Sequence, residues 1–292
     1  MERDGQVINI ASSIKQTTKG LSTELSGRNI ATKKIILDHV FAFAGLAGGT
    51  GTSTILANVA YKLAKMGNSV LVIDINIMYP IQHSFFGIKQ EIKTDDIVSY
   101  ISGECTVGEA IKYTPGNKIG LLIANNRSLD KLVDVDSKTG AIALTECLER
   151  LGGLFDYILI DTNINLNNEL TNAAMYRADK IITVMDESLE CLSNYDRLVT
   201  AMGNCGIDPG RIRTVMNKRT SIFYNQKVLD DFGIELIEVL PFNLGVIESG
   251  LAGEIFSEKG ASTAKTATEF NDRITDLAQI IQSYGSGIEV KD

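Results

Sequence analysis

"FAFAGLAGGTGTSTILANVA", Phe41 to Ala60, is the stretch whose reading decides the fold. An apolar strand runs into a glycine-rich turn, and the turn runs into a helix. Gly48, Gly49 and Gly51 let main-chain N–H groups converge, and Ser53 and Thr54 open a helix whose N-terminus is positive. That is the layout of a phosphate cradle. The usual loop adds a lysine that reaches the β- and γ-phosphates, followed by a hydroxyl that binds magnesium. Here Thr52 stands where the lysine belongs and Ser53 holds the hydroxyl position. No lysine occurs anywhere in the stretch. Taken alone, a bare glycine loop could equally be a tight strand–helix turn.

Further along the chain, short apolar runs alternate with helical patterns. The runs are 39–45, 69–74, 118–124, 156–161, 180–185, 211–217 and 234–241. Several are apolar at nearly every position, so both faces are expected to be covered, as in a parallel sheet sandwiched by helices. Leu56, Val59, Ala60 and Leu63 repeat at helical spacing after the loop, and further helices are expected at 141–151, 188–203, 223–232 and about 263–284. The fold class is therefore α/β: a single doubly wound, mostly parallel sheet flanked by helices, spanning 35–292. Residues 1–34 are rich in Ser, Thr and Lys and read as an N-terminal tail or linker.

Two acids end strands. Asp74 closes "VLVID" and Asp161 closes "DYILID". Ligands of open α/β sheets bind at those strand ends. Carboxylates there can hold magnesium or orient a water beside phosphates. Either acid alone could be a turn former; the loop and both acids, each ending a strand in this order, point to a site.

At this point the chain resembles the deviant Walker A ATPases of the ParA/MinD family, whose loop reads K-G-G-x-G-K-[ST]-T before a helix and a strand ending in I-D-x-D. "AGGTGTSTILANVAYKLAKMGNSVLVIDIN" carries the likeness, and "FDYILIDT", "RTVMNK" and "LPFNLGVIESGLAGEIF" extend it collinearly over about 38–284. The resemblance implies that Gly48, Gly49, Thr50, Gly51, Thr52, Ser53 and Thr54 wrap the phosphates of ATP or ADP, with Ser53 on Mg2+. It implies that Asp74 positions the attacking water and lies near the metal, and that Asp161 supports the metal through water. Asn217 would read adenine, its amide having both donor and acceptor. Pro241, Phe242 and Asn243 would pack against the base. It also implies a homodimer. The departures are Ala47 and Thr52 for the two loop lysines, Asn76 for the second acid, and Asn163 for a proline. Losing one charge-assisted hydrogen bond weakens binding by about 10- to 150-fold. Phosphoryl transfer depends on electrostatic clamping and should suffer more. No spacing selects Arg127, Arg177 or Arg219 as a substitute.

The resemblance thus implies an atypical relative acting in the positioning or assembly of secretion, pilus or other machinery, of the kind that marks cell poles (TadZ/CpaE type), with weak or absent hydrolysis. The alternative is an active partition ATPase that binds DNA as an ATP dimer. The net charge of −8 opposes DNA binding, and the basic stretch Arg211–Arg219 reads as solvated charge. Cys105, Cys147, Cys191 and Cys205 lack metal-ligand spacing. No secretory signal or membrane span is visible, so a cytoplasmic protein is expected, recruited to a pole or membrane by partners. Phe270, Ile274, Leu277 and Ile281 share a helix face opposite an acidic one, which reads as a helix packed on the sheet. Tyr79, Phe85 and Phe86 read as core, with a partner-facing surface as the alternative.

Overall fold

The structure is a computed structural model that describes residues 36–77, 79–88, 95–115, 118–124, 137–220, 226–258 and 265–285. The expected tail, 1–34, lies outside the described residues, as does Arg127. Eight strands form one sheet: β1 (Leu37–Gly45), β2 (Val70–Asp74), β3 (Lys112–Tyr113), β4 (Ile119–Leu122), β5 (Tyr157–Thr162), β6 (Ala178–Met185), β7 (Ile212–Arg219) and β8 (Leu236–Pro241). Their order is β3-β4-β2-β5-β1-β6-β7-β8. Every pairing is parallel except that of the short β3 with β4.

Strand β1 shows why the sheet is covered twice. Val40, Ala42 and Ala44 point to one face and Phe41 and Phe43 to the other, all fully buried. The period of two divides the core into two layers. One layer gathers apolar residues of α5 (Ser137–Leu151), α6 (Glu169–Arg177) and α7 (Leu189–Cys205). The opposite layer gathers those of α1 (Thr52–Lys65) and α10 (Lys265–Gly285). Short helices α2 (Gln82–Phe85), α3 (Ile97–Ile101) and α4 (Val107–Ala110) follow β2, and α8 (Gln226–Asp231) and α9 (Leu244–Leu251) flank β8.

Helix α6 escaped the periodicity reading because its buried face is partly polar. Thr171, Asn172 and Arg177 are all buried. Each is matched: Thr162 Oγ1 donates to Thr171 Oγ1 at 3.0 Å, Asn172 Nδ2 donates to the Leu166 carbonyl at 3.5 Å, and Arg177 pairs with Glu149 at 2.9 Å. Phe85 and Phe86 join the core as expected, but Tyr79 is 77% exposed and does not. The basic stretch at β7 forms no patch. Arg211 is buried on the Tyr176 and Ala178 carbonyls, and Arg213 pairs with Glu235 at 3.1 Å. Among the described residues no helix is long and apolar enough to cross a membrane.

The apolar stripe of α10 is spent on packing. Phe270, Ile274, Leu277 and Ile281 are buried against α1 and β8, and Phe270 meets Phe256 edge-on at 5.5 Å. Leu277→Ala is therefore expected to lower unfolding free energy by about 2–5 kcal/mol, the usual cost of emptying a leucine site in a tight core. A urea denaturation curve checks it.

Candidate functional site

Chain geometry at the end of β1 creates the site. Gly51 caps α1 with φ of 91° and offers no side chain to the helix, so no side-chain cap engages the first-turn N–H groups. Gly49 is also left-handed at φ of 78°. A Cβ on Gly51 would stand 2.5 Å from Asn217 Nδ2, so only glycine fits there. A Cβ on Gly45 would stand 2.6 and 2.7 Å from the hydroxyls of Thr52 and Thr50. Those hydroxyls brace the loop from within: they share a hydrogen bond of 3.2 Å, and Thr50 donates onward to the Ala47 carbonyl at 3.2 Å. Thr52 is buried, its hydroxyl tied inward where the usual loop carries an ammonium.

Three side chains from the β6–β7 side fasten the loop carbonyls. Asn217 Nδ2 donates to Thr50 at 2.7 Å, Asn194 Nδ2 donates to Leu46 at 2.6 Å, and Lys218 Nζ donates to Gly49. Lys218 is the one non-glycine with positive φ, 57°, among the described residues. Holding that conformation costs about 1–2 kcal/mol. The sequence offered no signal for it, since alternation puts neighbours 217 and 218 on opposite sheet faces. Pro241, Phe242 and Asn243 follow at the end of β8, and Asn243 caps α9 through Gly245 N–H at 2.8 Å.

Asp74 and Asp161 are direct register partners across β2 and β5, and both are buried. The two oxygens of Asp74 accept three backbone N–H bonds, from Asn76 (3.0 Å), Ile81 (2.9 Å) and Gln82 (3.2 Å). Burial, then the neighbouring Asp161, raise its pKa to about 7 against those bonds. Burial raises Asp161 to about 6, opposed by hydrogen bonds from Gln82 and Ser53. Gln82 was not foreseen from the sequence. It is fully buried, and its Nε2 donates to Asp161 Oδ2 at 2.6 Å and to the Ser53 carbonyl at 3.1 Å.

These groups meet in one cleft of about 700 Å³, ample for a mononucleotide-sized ligand. Gly48, Gly49, Thr50, Gly51, Thr52, Ser53, Thr54, Asp161, Asn217, Pro241, Phe242 and Asn243 all line it. Asp74 does not: it is 0% exposed, and its oxygens accept the three backbone bonds.

The glycine loop at the C-terminal end of a central parallel strand defines a P-loop NTPase-like fold. A family model described as "AAA domain" matches residues 38–205, more than half the chain. The septum site-determining protein MinD of Synechocystis is 27% identical over 226 residues, covering 75% of this chain and 81% of that protein. MinD of Thermotoga maritima is 23% identical over 261 residues, covering 87% and 91%. Among solved structures, MinD in the MinC:MinD complex of Aquifex aeolicus superposes with a TM-score of 0.68 at 21% identity over 84% of this chain and 96% of that one. The Mg-ADP complex of Pyrococcus horikoshii MinD gives 0.68 at 20% identity over 87% and 99%. The chain belongs to the AAA-domain ATPases of the ParA/MinD family.

Two outcomes follow from this geometry. Gly51→Ala forces a Cβ into Asn217 at a left-handed position and should destabilise the fold by about 1–3 kcal/mol in urea melts. For the acids, a carboxyl whose folded pKa is raised binds protons that the unfolded chain has released. Stability from the pair is therefore present below the ordinary 3.8 and is lost as pH rises to about 7. Asp74→Asn should flatten that slope in melts recorded from pH 4.5 to 7.5.

Proposed function

We propose that this protein is an atypical ParA/MinD-like factor that binds ATP or ADP with Mg2+ in the cleft, hydrolyses it slowly or not at all, and acts in positioning or assembling a larger cellular machine. The observation that carries the reading is a preserved cradle of main-chain amides at Gly51 and α1 whose two lysine positions hold Ala47 and Thr52. Amides aimed at an anion suffice to bind phosphate. Without loop cations and with Asp74 walled in, little is left to stabilise charge in a transition state.

The residues fit magnesium. The Ser53 hydroxyl and the Asp161 carboxylate are hard oxygen donors, and the buried Gln82 Oε1 beside them has no hydrogen-bond partner. Ser53 would hold the ion directly, and Asp161 would hold it through water. Bound there, the metal would neutralise phosphate charge. Gln82 fixes the Asp161 carboxylate, Asn217 offers its amide to adenine while holding Thr50, and Pro241 and Phe242 wall the base.

A homodimer is part of the proposal. Phe242, Ile247 and Leu251 are exposed on the rim of the cleft beside exposed Leu244, and Leu251 reaches 85% exposure. An apolar rim of this kind suits a partner surface. The cytoplasm, with recruitment to a pole or membrane by proteins of a secretion or pilus system, is the setting proposed. The negative net charge and the dispersed β7 arginines weigh against the DNA-partition alternative.

Calorimetry with ATP and ADP, with and without magnesium, combined with light scattering and phosphate release, tests the reading. ATP and ADP are expected to bind, and Thr52→Lys should tighten ATP by about 10-fold or more. Absence of binding at millimolar nucleotide overturns the proposal. Turnover equal to lysine-bearing family ATPases, abolished by Asp74→Ala, overturns the loss of hydrolysis. A salt-sensitive DNA shift that requires ATP favours the partition alternative.

A further inference from the structure

We propose that Lys218 supplies, from the end of β7, the positive charge the glycine loop lacks, its ammonium contacting the phosphates of a bound adenine nucleotide. The inference rests on the nucleotide reading above and deepens it.

Lys218 is the only cation among the described residues lining the cleft, where Asp161 and Glu190 also lie. A polyphosphate entering between those acids meets no other fixed positive charge. The ammonium already sits at the loop, donating to the Gly49 carbonyl. An ammonium has three donors on a flexible stem, so contact with the loop leaves others for a ligand.

The backbone is bent to deliver it. In a regular strand Asn217 and Lys218 would face opposite sides of the sheet. The β7–β8 register is irregular between Met216 and Arg219, and Lys218 takes a φ of 57°. Both side chains therefore reach the same loop, at Thr50 and at Gly49. Strained backbone at a ligand cleft is a recognised mark of function. Asp186 lies close enough for the ammonium to help hold its carboxyl low, against burial and alongside hydrogen bonds from Ser188 and Cys191.

Among the described residues no arginine lines the cleft. Arg177 is paired with Glu149, Arg211 is buried on carbonyls, and Arg213 is paired with Glu235. Arg219 is exposed and does not line the cleft.

The test is calorimetric titration of the full chain with ATP, ADP, AMP and adenosine, using the native protein, Lys218→Met and Lys218→Arg. Lys218→Met should weaken ATP and ADP by about 10-fold or more and leave adenosine unchanged, while the arginine variant stays near native. Recovery of ATP affinity in Lys218→Met by adding Thr52→Lys supports a charge role. Lys218→Gln, neutral but polar, is read alongside and decides the matter if the methionine variant unfolds in a thermal melt. Unchanged ATP affinity in the neutral variants overturns the inference, and so does equal loss for ATP and adenosine, which marks a brace for the loop. Failure of the native protein to bind ATP overturns the nucleotide reading itself, a result separate from either.

Discussion

Everything in this molecule is arranged around the placement of β1 between β5 and β6. That is where strands stop adding to one edge of the sheet and begin adding to the other. A crevice opens outside the strand ends at such a point. β1 can occupy it because both of its faces are apolar and its last residues are small. Ala44 and Gly45 let the chain turn at once into the loop, with two threonine hydroxyls packed where any larger residue at Gly45 would collide. The parallel neighbours then bring Asp161, and through β2 Asp74, to the same end of the sheet.

The loop keeps its shape through hydrogen bonds, only one of them from a charged group. Hydroxyls of Thr50 and Thr52, amides of Asn194 and Asn217, and the Lys218 ammonium all engage loop oxygens. A buried, satisfied polar network of this kind fixes geometry closely. On the opposite side Gln82 joins the Ser53 carbonyl to Asp161, so the helix that follows the loop and the strand that ends in the acid are held by one amide. The loop thus presents its main-chain amides on a scaffold braced mainly by hydroxyls and side-chain amides.

Strands and loop were legible because they depend on local pattern. A strand apolar at nearly every position, such as "YILI" before Asp161, announces a covered parallel sheet, and three glycines within four residues announce a close backbone turn. What escaped depends on long-range partners. Helix α6 hid behind buried polar groups whose partners lie on β5, α5 and the loop before it. Tyr79 looked like core because nothing in its own segment says which way the chain turns after Asp74. That acid was legible at its strand end, but the three backbone bonds its oxygens accept from the turn it initiates were not. Gln82 and Lys218 carry no motif; each is placed by a local bend, the first by a four-residue helix and the second by a break in strand register.

The amide that fastens Thr50 comes from a residue 167 positions further along the chain. Domains fold as they leave the ribosome, N-terminal part first. A nascent chain released only through β6 therefore holds every glycine of the loop but lacks the Asn194, Asn217 and Lys218 groups that fasten its carbonyls. The loop therefore takes its full set of fastenings only after β7 has docked beside β6.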